Sequence, residues 1–189
     1  MPEWLNWPQF AKQSPKRKAS DLYGMVVAAA RQPAFYGPER VADTPEGRFE
    51  LVALHLFLLA ERLTAEKPEG EELARHLIEA FVTDMDDCMR EMGVGDLTVP
   101  KRVKRAAAVF YERSGAYRDA LAAANTATGG TDPLSDVIAS ALHGEQRPSV
   151  FSANMASYMR ANHAILTKAS AADVAAGKIA FAQPSLAAA

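Results

Sequence analysis

The chain of 189 residues has a single cysteine, Cys88. A lone thiol excludes an internal disulfide and any metal site built from several cysteines, and it suits a reducing compartment. Long apolar runs are missing too. The best stretch, 49–60, is interrupted by Glu50 and His55 and falls short of the roughly 18–20 residues that cross a bilayer. The N-terminus lacks the continuous apolar segment of a secretory signal. Neither sign of charge dominates: 21 Lys and Arg face 23 Asp and Glu, for a net charge of −2. Bulk charge therefore does not point to nucleic acid, and any basic function must be local.

Signatures of catalysis are absent as well. The sequence has no G-x-S-x-G elbow, no Walker A pattern and no complete G-x-G-x-x-G; Gly93-Val94-Gly95 lacks the third glycine and a preceding strand. It has no H-E-x-x-H and no Glu-x-x-His pair of the di-iron kind, and His55, His76, His143 and His163 show no ligand spacing. Without a set of nucleophile, base and charge stabiliser, the expectation is a protein that is not an enzyme and needs neither cofactor nor metal.

What the chain has is alanine, few β-branched residues, and apolar positions at helical spacing. These predict an all-α fold, one compact multi-helix domain of about six to seven helices with a flexible N-terminal arm. The expected divisions are an aromatic and basic arm at 1–19, a helical domain at 20–170, and an Ala-rich frayed tail at 171–189. In the arm, Trp4 and Trp7 precede Lys16, Arg17 and Lys18, with three prolines between residues 2 and 15. Aromatics beside cations suit an anionic membrane face. The alternative is that the tryptophans pack back and the cations are solvated.

Ser20-Asp21 can cap a first helix that Pro33 ends, and Phe35-Tyr36-Gly37-Pro38 forms an aromatic turn at a core edge. Thr44-Pro45-Glu46 opens a second helix, capped by Asp43 or Thr44, that is apolar nearly all round and so central. Its His55 reads as a hydrogen-bonded core residue. A third helix follows the 66–70 loop, with Leu73, Leu77, Phe81, Met85, Cys88 and Met92 as its buried stripe. On the fourth, Val103, Ala107, Phe110 and Tyr117 face inward, and Gly115 loosens or kinks the helix. Residues 125–130 form a break. Asp132-Pro133 with Gly144, and Pro148-Ser149, then mark two further helices.

The stretch that singles itself out is 81–105, FVTDMDDCMREMGVGDLTVPKRVKR. It reads as a helix end, a turn with Gly93 at the left-handed position, and a new helix with Thr98 as N-cap and Pro100 in its first turn. The first half is acidic (Asp84, Asp86, Asp87, Glu91, Asp96) and the second basic (Lys101, Arg102, Lys104, Arg105). Cations at a helix N-terminus oppose its dipole, at about 0.3–1 kcal/mol for an exposed charge. Two things can offset that: the acidic end of the preceding helix folded alongside, or an anionic partner. A solvated surface with internal pairs is the plainer alternative.

Three blocks carry a family likeness: LYGMVVAAARQPAFY at 22–36, DTPEGRFELVALHLFLLAERL at 43–63, and FVTDMDDCMREMGVGDLTVPKRVKRAAAVFYERSGAY at 81–117. Together they resemble the ubiquinol–cytochrome c chaperone family, assembly factors for the cytochrome b subunit of respiratory complex III. The likeness covers roughly residues 20–170 and is weaker after 120. It implies a non-enzymatic chaperone that binds cytochrome b or an early complex III intermediate, with ribosome contact near the exit tunnel and peripheral membrane contact as further partners, and no DNA. It also implies a short α-proteobacterial type, cytoplasmic or on the cytoplasmic face of the inner membrane; a eukaryotic member would sit on the matrix face.

The resemblance brings no catalytic residues. The candidate partner-binding residues therefore come from the charged turn itself: Asp84, Asp86, Asp87, Arg90, Asp96, Lys101, Arg102, Lys104 and Arg105, with Met85, Met89 and Met92. The methionines either pack in the core or line an adaptable groove. Two rival readings use the same features: RNA or ribosome binding through the 101–105 cations, and a membrane adaptor using the arm.

Overall fold

The structure, a computed structural model, describes residues 14–123, 132–144 and 149–185. Trp4, Trp7 and the 125–130 break lie outside the described residues. The described chain forms helices α1 (Pro15–Ala30), α2 (Pro45–Thr64), α3 (Glu69–Glu91), α4 (Val99–Ala123), α5 (Pro133–His143), α6 (Val150–Lys168) and α7 (Ala171–Ala175), with a 3-10 turn at Pro33–Phe35. Among these residues there is no strand, and the fold is the all-α domain that composition and periodicity predict.

Local chemistry sets most of the boundaries. Thr44 Oγ1 accepts from Gly47 N–H at 3.1 Å at the start of α2. Asp132 Oδ1 accepts from Leu134 N–H at 3.0 Å at the start of α5, which ends on Gly144 at φ 64°. Ser149 and Ser152 exchange side-chain and backbone bonds at the start of α6. Each cap satisfies donors that a helix start leaves without a partner.

Helix α2 is the axis. Every residue from Leu51 to Leu59 is buried, and the helix touches α1, α3, α4, α5 and α6. An all-apolar surface is stable only under such a jacket. His55 is fully buried within it. Its Nδ1–H donates to Leu51 O at 2.7 Å, so Nε2 is left to accept from Tyr158 O–H at 2.9 Å. Burial holds the imidazole pKa down at about 4 and pushes the Tyr158 hydroxyl up to about 12. Both groups are neutral and mutually satisfied, as expected for a core histidine.

Four features differ from the sequence reading. Helix α1 begins at Pro15 with Ser14 as its cap, rather than at Ser20-Asp21. The added turn places fully buried Ala19 in line with Leu22, Tyr23 and Val26 and puts Lys16, Arg17 and Lys18 at the helix start. Phe35 lies in the core and not at its edge; its ring is 5.6 Å from His55 and 5.2 Å from Tyr158. On α4 the buried positions are Val99, Phe110, Ser114, Tyr117 and Ala120, while Val103 and Ala107 are half-buried, and the helix runs through Gly115 without a break. After α6, the stretch expected to fray forms α7 and then packs: Val174 is buried, Phe181 sits 5.1 Å from the His55 ring, and Ala182 N–H donates to Asn162 Oδ1 at 2.7 Å.

Candidate docking surface

The charged stretch folds as the helix–turn–helix its glycine and threonine predict. Gly93, at φ 78°, donates from its N–H to Arg90 O at 2.9 Å, and Val94 N–H reaches Met89 O at 3.0 Å. This pair of bonds is a Schellman closure, which needs a left-handed residue at that point. Thr98 O then accepts from Arg102 N–H at 3.1 Å, opening α4 with Thr98 in the N-cap place. Val99, the first residue of the new helix, is fully buried.

The buried stripe of α3 does not reach its end. Leu73, Leu77 and Phe81 are buried, Met85, Cys88 and Met89 are half-exposed, and Met92 is 56% exposed. The expectation that Cys88 and Met92 lie in the core therefore does not hold. The methionines grade from core to solvent along one face. Burial, with Asp84 close by, raises the Cys88 thiol pKa, so the group stays protonated and weakly nucleophilic.

The acidic half divides into two roles. Asp84 is half-buried and accepts from Tyr23 O–H at 2.7 Å, tying α3 to α1. Asp86 and Asp96 both engage Arg90: Nε to Asp86 Oδ2 at 2.5 Å and Nη1 to Asp96 Oδ1 at 2.6 Å. Arg90 therefore bridges the last turn of α3 to the loop. Asp87 and Glu91 stay exposed.

The basic half is unanswered. Lys101, Arg102, Lys104 and Arg105 are all exposed, and none forms an ion pair among the described residues. No carboxylate at the end of α3 pairs with them across the turn, the offset that one reading of the sequence expects; Asp86 and Asp96 pair with Arg90 instead. Beside them, at the apex, Leu97 is 93% exposed. Sequence inspection passes over Leu97, although its place between Gly95 and the Thr98 cap leaves it no helix face on which to be buried.

The two concave surfaces elsewhere are lined by charges that are paired internally. An open cleft of about 390 Å³ between α2, α4 and α6 is lined by Phe57, Glu61, Arg118, Arg160 and His163. Arg118 pairs with Glu61 at 2.7 Å and Arg160 with Asp132, which leaves no charge there aimed at a ligand. A shallow groove beside Ile78, Val82 and Tyr111 carries similar internal pairs, Arg75 and His76 both meeting Glu79. No group of three His, Cys, Asp or Glu side chains able to hold a metal occurs among the described residues. Among those residues, no helix is long and apolar enough to cross a membrane.

No curated protein sequence matches the chain significantly. A solved structure described as the crystal structure of the Cbp3 homolog from Brucella abortus is similar to it: 34% identical, covering 89% of this chain and 91% of that one, with a TM-score of 0.78. The family model described as ubiquinol-cytochrome C chaperone matches residues 39–181, a span that includes the central helix, the charged hairpin and Phe181. By that match the chain belongs to the ubiquinol–cytochrome c chaperone family.

Proposed function

We propose that this protein is a non-enzymatic assembly chaperone of the ubiquinol–cytochrome c reductase, respiratory complex III, and that its client is cytochrome b or an early intermediate containing it. Family membership supports the assembly role. The observation that favours the α3–α4 hairpin as the contact surface is that it joins adaptable methionines leaving the core to a cluster of cations without ion-pair partners among the described residues. Met85, Met89 and Met92 offer soft apolar contact to a client whose helix ends are still bare. Asp87 and the Arg90 cluster provide polar edges, and the 101–105 cations supply orientation and on-rate rather than raw affinity. The place of action in this reading is the cytoplasm or the cytoplasmic face of the inner membrane.

The test is made in cells that build complex III. Crosslinking from Met89 captures tagged cytochrome b, and a deletion strain shows reduced complex III. Normal complex III in the deletion strain refutes the proposal. The same cations admit RNA or ribosome binding; affinity of that kind falls steeply with salt, and failure to retain RNA at low salt removes it.

A further inference from the structure

We propose that the apex of the α3–α4 hairpin is a bilayer-docking element: Leu97 enters the headgroup region of an anionic leaflet while Lys101, Arg102, Lys104 and Arg105 lie against its phosphates. This rests on the client reading above: the cations orient the chaperone and speed its encounter by holding it to the leaflet in which the client sits, and the methionine face is left for polypeptide.

Two independent observations meet at the apex. The first is apolar exposure. Leu97, on the loop, is 93% exposed. A leucine held almost wholly in water at a turn contributes nothing to the core, and a bilayer interface removes that exposure. The second is charge. The four cations occupy the first two turns of α4, where the helix dipole opposes them and no carboxylate among the described residues pairs with them. The acids nearest the loop are partly neutralised: Arg90 holds Asp86 and Asp96, which leaves Glu91 and Asp87 on α3 against four cations on α4.

Lipid fits better than the other anionic surfaces. A single-stranded nucleic acid calls for aromatic stacking platforms, and 90–105 contains no Phe, Tyr or Trp. An aliphatic tip flanked by lysine and arginine matches an acyl boundary beneath phosphate. Such docking brings a chain whose described helices do not span a membrane to a client that does.

The experiment uses the purified full chain and vesicles of phosphatidylcholine with or without phosphatidylglycerol. Flotation with the anionic vesicles only, lost at high salt, is the expected result. Each cation near the surface contributes about fivefold in partitioning. Neutralisation of all four to Gln should therefore lower binding several-hundred-fold, and Leu97→Ser should lower it about tenfold. Leu97 packs on nothing, so its variant keeps the wild-type melting temperature and the fold is not at issue. Insertion is read separately with Leu97→Trp in a chain carrying Trp4→Phe and Trp7→Phe: brominated acyl chains quench the new tryptophan. Equal flotation by the Leu97 and charge variants places binding in the N-terminal arm and overturns the proposal. So does a tip tryptophan that is not quenched, or capture of single-stranded RNA in preference to vesicles. No client is present in this assay, so its failure leaves the chaperone reading standing, and a failed deletion phenotype leaves the vesicle result standing.

Discussion

Tyr23 on α1 and Asp84 on α3 share a 2.7 Å hydrogen bond between residues 61 positions apart. The hydroxyl is held protonated, by burial first and then by the carboxylate it serves. Beside it the Tyr23 ring meets Phe81 edge-on at 6.4 Å. Asp84 therefore clamps α3 to α1.

Removing that bond should cost stability, not client contact. Tyr23→Phe leaves Oδ2 of the half-buried Asp84 carboxylate without its donor, with only the weak Cys88 thiol on Oδ1, and is expected to cost about 1.5–3 kcal/mol in urea unfolding. Pairing it with Asp84→Asn in a double-mutant cycle should give a coupling above about 0.5 kcal/mol. Additive effects would show that the bond does no work.

His55 gives a pH prediction. Its native pKa is held at about 4 against an ordinary value of 6.5. As pH falls below 6.5 the unfolded imidazole takes up a proton while the native one does not. Stability present above pH 6.5 is therefore lost progressively down to about pH 4, and this group removes no more below that. The size is about 3 kcal/mol. The difference between wild type and His55→Gln, measured by urea unfolding from pH 7 to 4, should change by that order; a flat difference contradicts it.

Arg62 holds the end of α6. Its Nε donates to Leu166 O at 2.9 Å and Nη2 to Ala169 O at 2.7 Å, while Nη1 meets Glu66 at 2.8 Å. With the side chain 9% exposed, loss of the fork strands carbonyls that water reaches poorly. Arg62→Met is expected to cost about 1–3 kcal/mol. Arg62→Lys should recover little of it, since an ammonium cannot span the same acceptors. Thermal unfolding of both variants checks this.

Two glycines have no room for a side chain. A Cβ on Gly47 would strike the Ala42 carbonyl, and one on Gly70 the Leu63 carbonyl. Backbone must move in either case, so Gly47→Ala and Gly70→Ala should each lose about 1–3 kcal/mol. Gly115, with open space around it, should gain slightly on substitution by Ala because the helix interior favours it. Melting temperatures that rank the three otherwise would contradict the packing.

The helices were legible in the sequence wherever their cause is local. Thr44, Asp132 and Ser149 cap because their own oxygens reach N–H groups two or three residues on, and Gly93 and Gly144 turn left because nothing bulkier does so freely. Contacts between distant residues were not legible. Ser14-Pro15 is a cap signal masked by the cations after it, and only Ala19 in the assembled core explains the longer α1. Met85, Cys88 and Met92 keep helical spacing to the end, and periodicity cannot show where the neighbours stop. Asp84 looks like the other aspartates until Tyr23 is beside it. The charged turn was visible as a pattern, whereas the lack of ion-pair partners for 101–105 and the bareness of Leu97 emerge only in three dimensions.

Phe181 meets the His55 ring edge-on at 5.1 Å, and the Ala182–Asn162 bond fastens that segment to α6. The central helix thus borrows part of its cover from a stretch that belongs to no helix. Detaching that stretch would uncover one side of the imidazole, so the grip of a single backbone N–H on Asn162 helps keep the centre of the molecule dry.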